Sequence, residues 1–93
     1  MDFDQKEAIS KLITELRLEG RSKYTIRNYT NAVQNLFSFA NKKPVSITEQ
    51  DVRLYLSTLF DNKSTATISL TASALRYFLS EILDNPIGKI KIP

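Results

Sequence analysis

Residues 20–40 read Gly20-Arg21-Ser22-Lys23-Tyr24-Thr25-Ile26-Arg27-Asn28-Tyr29-Thr30-Asn31-Ala32-Val33-Gln34-Asn35-Leu36-Phe37-Ser38-Phe39-Ala40, and this stretch decides the fold. Ser22 is a good helix N-cap, because a serine oxygen accepts one of the orphaned amides of the first turn. Beyond it, Ile26, Tyr29, Val33, Leu36, Phe37 and Ala40 recur at helical spacing and make one apolar stripe. Lys23, Arg27, Asn31 and Gln34 fall on another side. Asn41-Lys42-Lys43-Pro44 then breaks the pattern. An amphipathic helix over Lys23–Ala40 follows.

Working outward, the same signals recur. On the N-terminal side a helix over about 5–19 is predicted. Asp4 caps it, with Glu7 spaced for a capping box. Ile9, Leu12, Ile13 and Leu16 form its stripe, and Gly20 ends it by entering the left-handed conformation without strain. On the C-terminal side a third helix starts after Thr48. Thr48 and Asp51 have capping-box spacing, and Glu49 and Asp51 suit the positive end of the helix dipole. Val52, Tyr55, Leu56 and Leu59 make its stripe, and Asp61-Asn62-Lys63 reads as a turn. Ser64 caps a fourth helix over about 65–83, with Ile68, Ala72, Leu75, Phe78, Leu79 and Ile82 inward. Asn85-Pro86 stops it, since the residue before proline avoids helical dihedrals. The expected fold class is all-α, a four-helix orthogonal bundle over residues 1–84. The basic tail, Ile87-Gly88-Lys89-Ile90-Lys91-Ile92-Pro93, has no partner strand. It reads as an extended linker over residues 85–93 rather than an edge strand, and its end at Pro93 suggests a longer parent protein.

With 93 residues the chain fits one domain. A domain of this size buries about 60–65% of its unfolded surface, which leaves a thin core and no deep enclosed active site. Apolar residues make up 42% and charged residues 25%, the profile of a folded domain rather than a disordered one. There is no cysteine and no histidine, which removes disulfides, thiolate metal sites and the commonest general base. The two glycines cannot build a phosphate loop. Neither autonomous catalysis nor a cofactor is expected. Met1-Asp2-Phe3-Asp4 lacks the features of a signal peptide, and no apolar run has the length of a membrane span. A cytoplasmic location and no membrane partner are therefore expected.

Net charge is +3, with pI near 9.3. Placement matters more than the total. Between Gly20 and Thr48 lie Arg21, Lys23, Arg27, Lys42 and Lys43, and no acid. Such a block is either a solvated basic face or an electrostatic footprint for nucleic acid. At the start of the second helix, Arg21, Ser22, Lys23 and Thr25 surround free backbone amides and suit a phosphate. Thr65, Thr67, Ser69, Ser73, Arg76 and Ser80 give the fourth helix a small, hydroxylated side that a major groove would accept. The bland alternative is a pair of surface helices whose serines only cap. Tyr29, Phe37, Tyr55 and Phe78 lie on apolar stripes and read as core, whereas Tyr24 and Tyr77 lie off them.

Several stretches resemble the tyrosine recombinase family. Ser22-Lys23-Tyr24-Thr25-Ile26-Arg27-Asn28-Tyr29, followed by Leu36-Phe37-Ser38-Phe39, is similar to its S-x-x-T-x-x-x-Y … L-x-x-F signature. Ile47 to Leu56 resembles the family's third helix. Ser64-Thr65-Ala66-Thr67 with Ser73-Ala74-Leu75-Arg76-Tyr77-Phe78 resembles its S-x-x-T … S-A-L-R-x-F helix, and Asn85-Pro86 with Ile90-Lys91-Ile92-Pro93 resembles its linker. The chain looks like the SAM-like core-binding domain of Xer-type recombinases and phage integrases. It departs from the pattern at Ala32, where many relatives carry an acid. A second departure is the stretch Ile68-Ser69-Leu70-Thr71, where many carry a base.

The resemblance implies a helical clamp on duplex DNA at a recombination half-site. Ser22, Lys23, Thr25 and Arg27 would approach from the second helix, and Thr65, Thr67, Ser69, Ser73 and Arg76 from the fourth. It implies as partners double-stranded DNA, the catalytic domain of the same parent chain and further copies on DNA. The cleaving tyrosine would belong to that absent domain, so no tyrosine here takes its role. The alternative is a SAM-like protein-interaction module.

Overall fold

The computed structural model describes residues 4–83. They form four α-helices and no strand: α1 Gln5–Leu18, α2 Lys23–Ala40, α3 Glu49–Leu59 and α4 Thr65–Tyr77. A 3-10 turn at Pro44–Ser46 precedes α3, and α4 runs straight into a π turn, Phe78–Ile82. The expected all-α four-helix bundle is the fold. The expected stop at Asn85-Pro86 and the linker over 85–93 lie outside the described residues, as does the start Met1-Asp2-Phe3.

All four expected caps form. Asp4 accepts the Glu7 amide at 2.8 Å. Ser22 accepts that of Thr25 at 3.1 Å and Ser64 that of Thr67 at 3.2 Å. At α3 the box closes in both directions: Thr48 Oγ1 accepts the Asp51 amide at 3.2 Å, and Asp51 accepts the Thr48 amide at 2.8 Å. Each such cap contributes about 1 kcal/mol. Gly20, at φ +75°, ends α1 as expected. The Gly20 amide donates to the Arg17 carbonyl and the Arg21 amide to the Leu16 carbonyl, the paired bonds of a Schellman ending. Asn41 does the same service after α2 at φ 52°.

Helix α2 is the central element and packs against α1, α3 and α4. Its buried residues are Ala32, Val33, Leu36 and Phe37, with Ile26, Tyr29 and Ala40 packed at the edge. Tyr29 and Phe37 sit about 12 Å apart along α2. Their ring partners are nevertheless the adjacent residues Tyr77 and Phe78, each at 5.7 Å between centroids. Helix α4 therefore crosses α2 steeply instead of running alongside it, as an orthogonal bundle requires. Phe78, Leu12, Leu16, Leu36, Leu75 and Leu79 are the largest fully buried side chains. Each contributes roughly 1.5–3 kcal/mol by leaving water.

Two details differ from the sequence expectation. In α1 the buried line is Ala8, Leu12 and Leu16, while Ile9 and Ile13 flank it half-buried. Alanine has too little apolar bulk to mark a stripe, yet its small side chain suits a close helix contact. The fourth helix does not stay α to its end. The π turn carries Phe78, Leu79 and Ile82 into the core, and Leu83 closes it by donating to the Phe78 carbonyl at 3.1 Å. Lys11 of α1 reaches the Ile82 carbonyl at 3.5 Å, a cation on an orphaned helix-end acceptor.

Candidate nucleic-acid interface

The starts of α2 and α4 are built alike. In each, the N-cap serine accepts the third amide and donates its own proton to the threonine hydroxyl, Ser22 to Thr25 and Ser64 to Thr67, both at 3.1 Å. A hydroxyl that accepts still has a proton to give, and neither threonine proton has an acceptor among the described residues. The first two amides of each helix also lack intrahelical partners. The four helix starts divide cleanly by charge. Helices α1 and α3 carry acids in their first turns, Glu7 in one and Glu49 and Asp51 in the other. Helices α2 and α4 carry none. The first turns of α2 and α4 thus bring no carboxylate to the positive dipole ends of these helices.

The cations predicted as one block separate into two groups. Arg21, Lys23 and Arg27 gather at the start of α2. Lys42 and Lys43 follow its other end, about 27 Å away. Arg21 pairs with Glu19 at 3.3 Å, and Lys42 with Asp51 at 3.0 Å. Lys23 and Arg27 are exposed and make no ion pair among the described residues. Burial alone would raise the Asp51 carboxyl. The Thr48 amide, Lys42 and the Thr48 hydroxyl outweigh it and hold the group below its ordinary value.

On α4, Thr65, Ser69, Ser73 and Arg76 are exposed and follow one another along a single stripe, which half-buried Ser80 extends. Thr67 is exposed but lies on the other side of the helix, where its clasp with Ser64 accounts for it. Ser73, Arg76, Tyr77, Ser80 and Glu81 line a shallow groove of about 280 Å³. No local pattern of residues marks what holds this groove against α2. The Tyr77 hydroxyl donates to the Glu19 carboxylate, which also accepts from Arg21 Nε, and the Tyr77 ring packs edge-on against Tyr29. One tyrosine therefore joins α4, the end of α1 and the flank of α2. The Tyr77 bond, opposed by burial and aided by Arg21, holds Glu19 below its ordinary value. Burial, then the Glu19 bond, pushes Tyr77 well above its own.

Residues 9–89 match the family described as phage integrase, N-terminal SAM-like domain. The chain belongs to that family. Comparison with curated proteins and with solved structures found no match to it. The match takes in α1 from Ile9 onward and the whole of α2, α3 and α4, and makes the chain a recombinase-related module. Among its described residues no helix is long and apolar enough to cross a membrane.

Proposed function

We propose that this SAM-like domain grips duplex DNA at a recombination half-site, as the non-catalytic module of a site-specific tyrosine recombinase. Helix α2 meets the phosphates with the amides of its first turn and with Arg21, Ser22, Lys23, Thr25 and Arg27. Helix α4 lays Thr65, Ser69, Ser73 and Arg76 toward the major groove, while Thr67, on the opposite side, serves the helix start that meets the flanking backbone. The catalytic domain of the parent chain and further copies on DNA complete the assembly.

The observation that carries this reading is the division of the helix starts. The two starts that lack acids are also the two with a free threonine proton, and both belong to helices with a cation-bearing or hydroxylated outer side. An external polyanion would satisfy both. Fluorescence anisotropy with a short duplex at two salt concentrations tests it. Binding that weakens steeply with salt is the expected outcome, because each neutralised phosphate releases counterions. An absence of binding at low salt overturns it.

A second reading, a protein-docking module, has one observation in its favour. Leu54, in the middle of α3, and Phe60, just past its end, are exposed, and Phe60 lines a small cleft with Arg53, Leu56 and Ser57. Apolar docking there would be nearly indifferent to salt.

A further inference from the structure

Tyr24 is 64% exposed in the first turn of α2. Its one contact of note is with Arg27, one turn on. The guanidinium carbon lies 5.9 Å from the ring centroid, within cation–π range. Arg27 has no ion pair or hydrogen bond among the described residues, and neither does the Tyr24 hydroxyl. Of the other two cations at this helix corner, Lys23 and Arg21, the second is already engaged by Glu19.

The contact decides how Arg27 is presented. An exposed arginine has many rotamers, and a partner must freeze one of them. A cation–π contact, unlike an ion pair, leaves the five N–H donors of the guanidinium unengaged. Their fork fits two phosphate oxygens side by side. Lys23 and Arg27 are one turn apart and lie on the same side of α2, with Tyr24 adjoining both. A ring that holds the fork in place lowers the ordering cost of a phosphate contact without touching the phosphate.

We propose that Tyr24 is a positioning residue for DNA binding, its ring holding the Arg27 guanidinium edge-on to a backbone phosphate of the duplex. The proposal rests on the DNA-binding reading above.

The test uses the whole 93-residue chain and a short mixed-sequence duplex, by anisotropy over a salt series. Tyr24→Leu removes the ring's charge-attracting face and is expected to weaken binding about two- to fivefold, the effect of an exposed cation–π contact. Tyr24→Phe keeps the face and is expected to bind several times more tightly than Tyr24→Leu. In an Arg27→Ala background, Tyr24→Leu is expected to cost nothing further. Equal affinity of Tyr24→Leu and the parent chain overturns the proposal. So does an undiminished loss in the Arg27→Ala background, which would make Tyr24 a DNA contact in its own right. Lys23→Ala separates the two levels. If it weakens binding while Tyr24→Leu does not, the DNA reading stands and the positioning role falls. If the parent chain fails to bind at low salt, both fall. Melting curves of each variant confirm that the fold is intact.

Discussion

Tyr77 and Glu19 are hydrogen-bonded across 58 residues of chain, hydroxyl to carboxylate. The bond fastens the last α-helix to the end of the first at the corner where α2 begins. Its two ends titrate in opposite senses. Glu19 is held below its ordinary value near 4.5, so its contribution is complete above that pH and is lost as pH falls through the lower folded value. Tyr77 is raised above 10, so its contribution is complete below pH 10 and is lost as pH rises through the higher folded value. Melting temperature against pH is the measurement. Glu19→Gln should flatten the acid limb and Tyr77→Phe the alkaline limb, the phenylalanine ring keeping its place against Tyr29. Unchanged limbs in both variants would show that the bond does not persist in solution.

Lys23 and Arg76 should fail in different ways. Lys23→Ala is expected to weaken binding to every duplex and to lower the salt slope by about one unit. Arg76→Ala is expected to cost about 1–3 kcal/mol on the preferred site and less elsewhere, if its fork reads a guanine edge. A competition series with unrelated duplex separates the two patterns. An Arg76 variant with unchanged preference would demote that residue to the backbone.

Ser22 has a structural duty that its proposed DNA role must be distinguished from. Ser22→Ala is expected to cost about 1 kcal/mol of stability through the lost cap. Ser22→Asp is the sharper variant, because aspartate caps as well as serine and adds a negative charge at the helix start. It should melt at or above the parent temperature and bind duplex more weakly. Equal affinity for Ser22→Asp would remove the phosphate from this position.

Phe78 is fully buried and packs edge-on against Phe37. Phe78→Ala should destabilise the domain by about 3–5 kcal/mol. A domain this small holds roughly 5–15 kcal/mol in all, so the variant should melt well below the parent. Chemical denaturation measures this directly, and a loss below about 1 kcal/mol would contradict the core described here.

Local chemistry was legible in the sequence, and long-range geometry was not. Asp4, Ser22, Thr48 and Ser64 announce their helices because a cap needs only residues within one turn. Gly20 announces the end of α1 for the same reason. The stripes of α2 and α3 were readable through their large side chains. Ala8 and Ala74 are fully buried but carry no comparable signal. The π turn escaped because Phe78, Leu79 and Ile82 fit an α pattern almost as well. The separation of Lys42 and Lys43 from Lys23 follows simply from the length of α2, which a tally of charge along the chain ignores. The Glu19–Tyr77 bond had no local mark at all. The residues proposed to face DNA are recognisable by residue type and family likeness, and the fold adds that all of them but half-buried Thr25 are exposed.

The π turn also sets when this chain can fold. Phe78, Leu79 and Ile82 fill the centre of the core, yet they come among the last of the described residues, and Lys11 waits 71 positions for the Ile82 carbonyl. During synthesis, α1 to α3 leave the ribosome with their apolar stripes facing an unfilled centre. The core closes only once residue 82 has cleared the exit tunnel. Until then the emerging chain keeps those apolar stripes open to water.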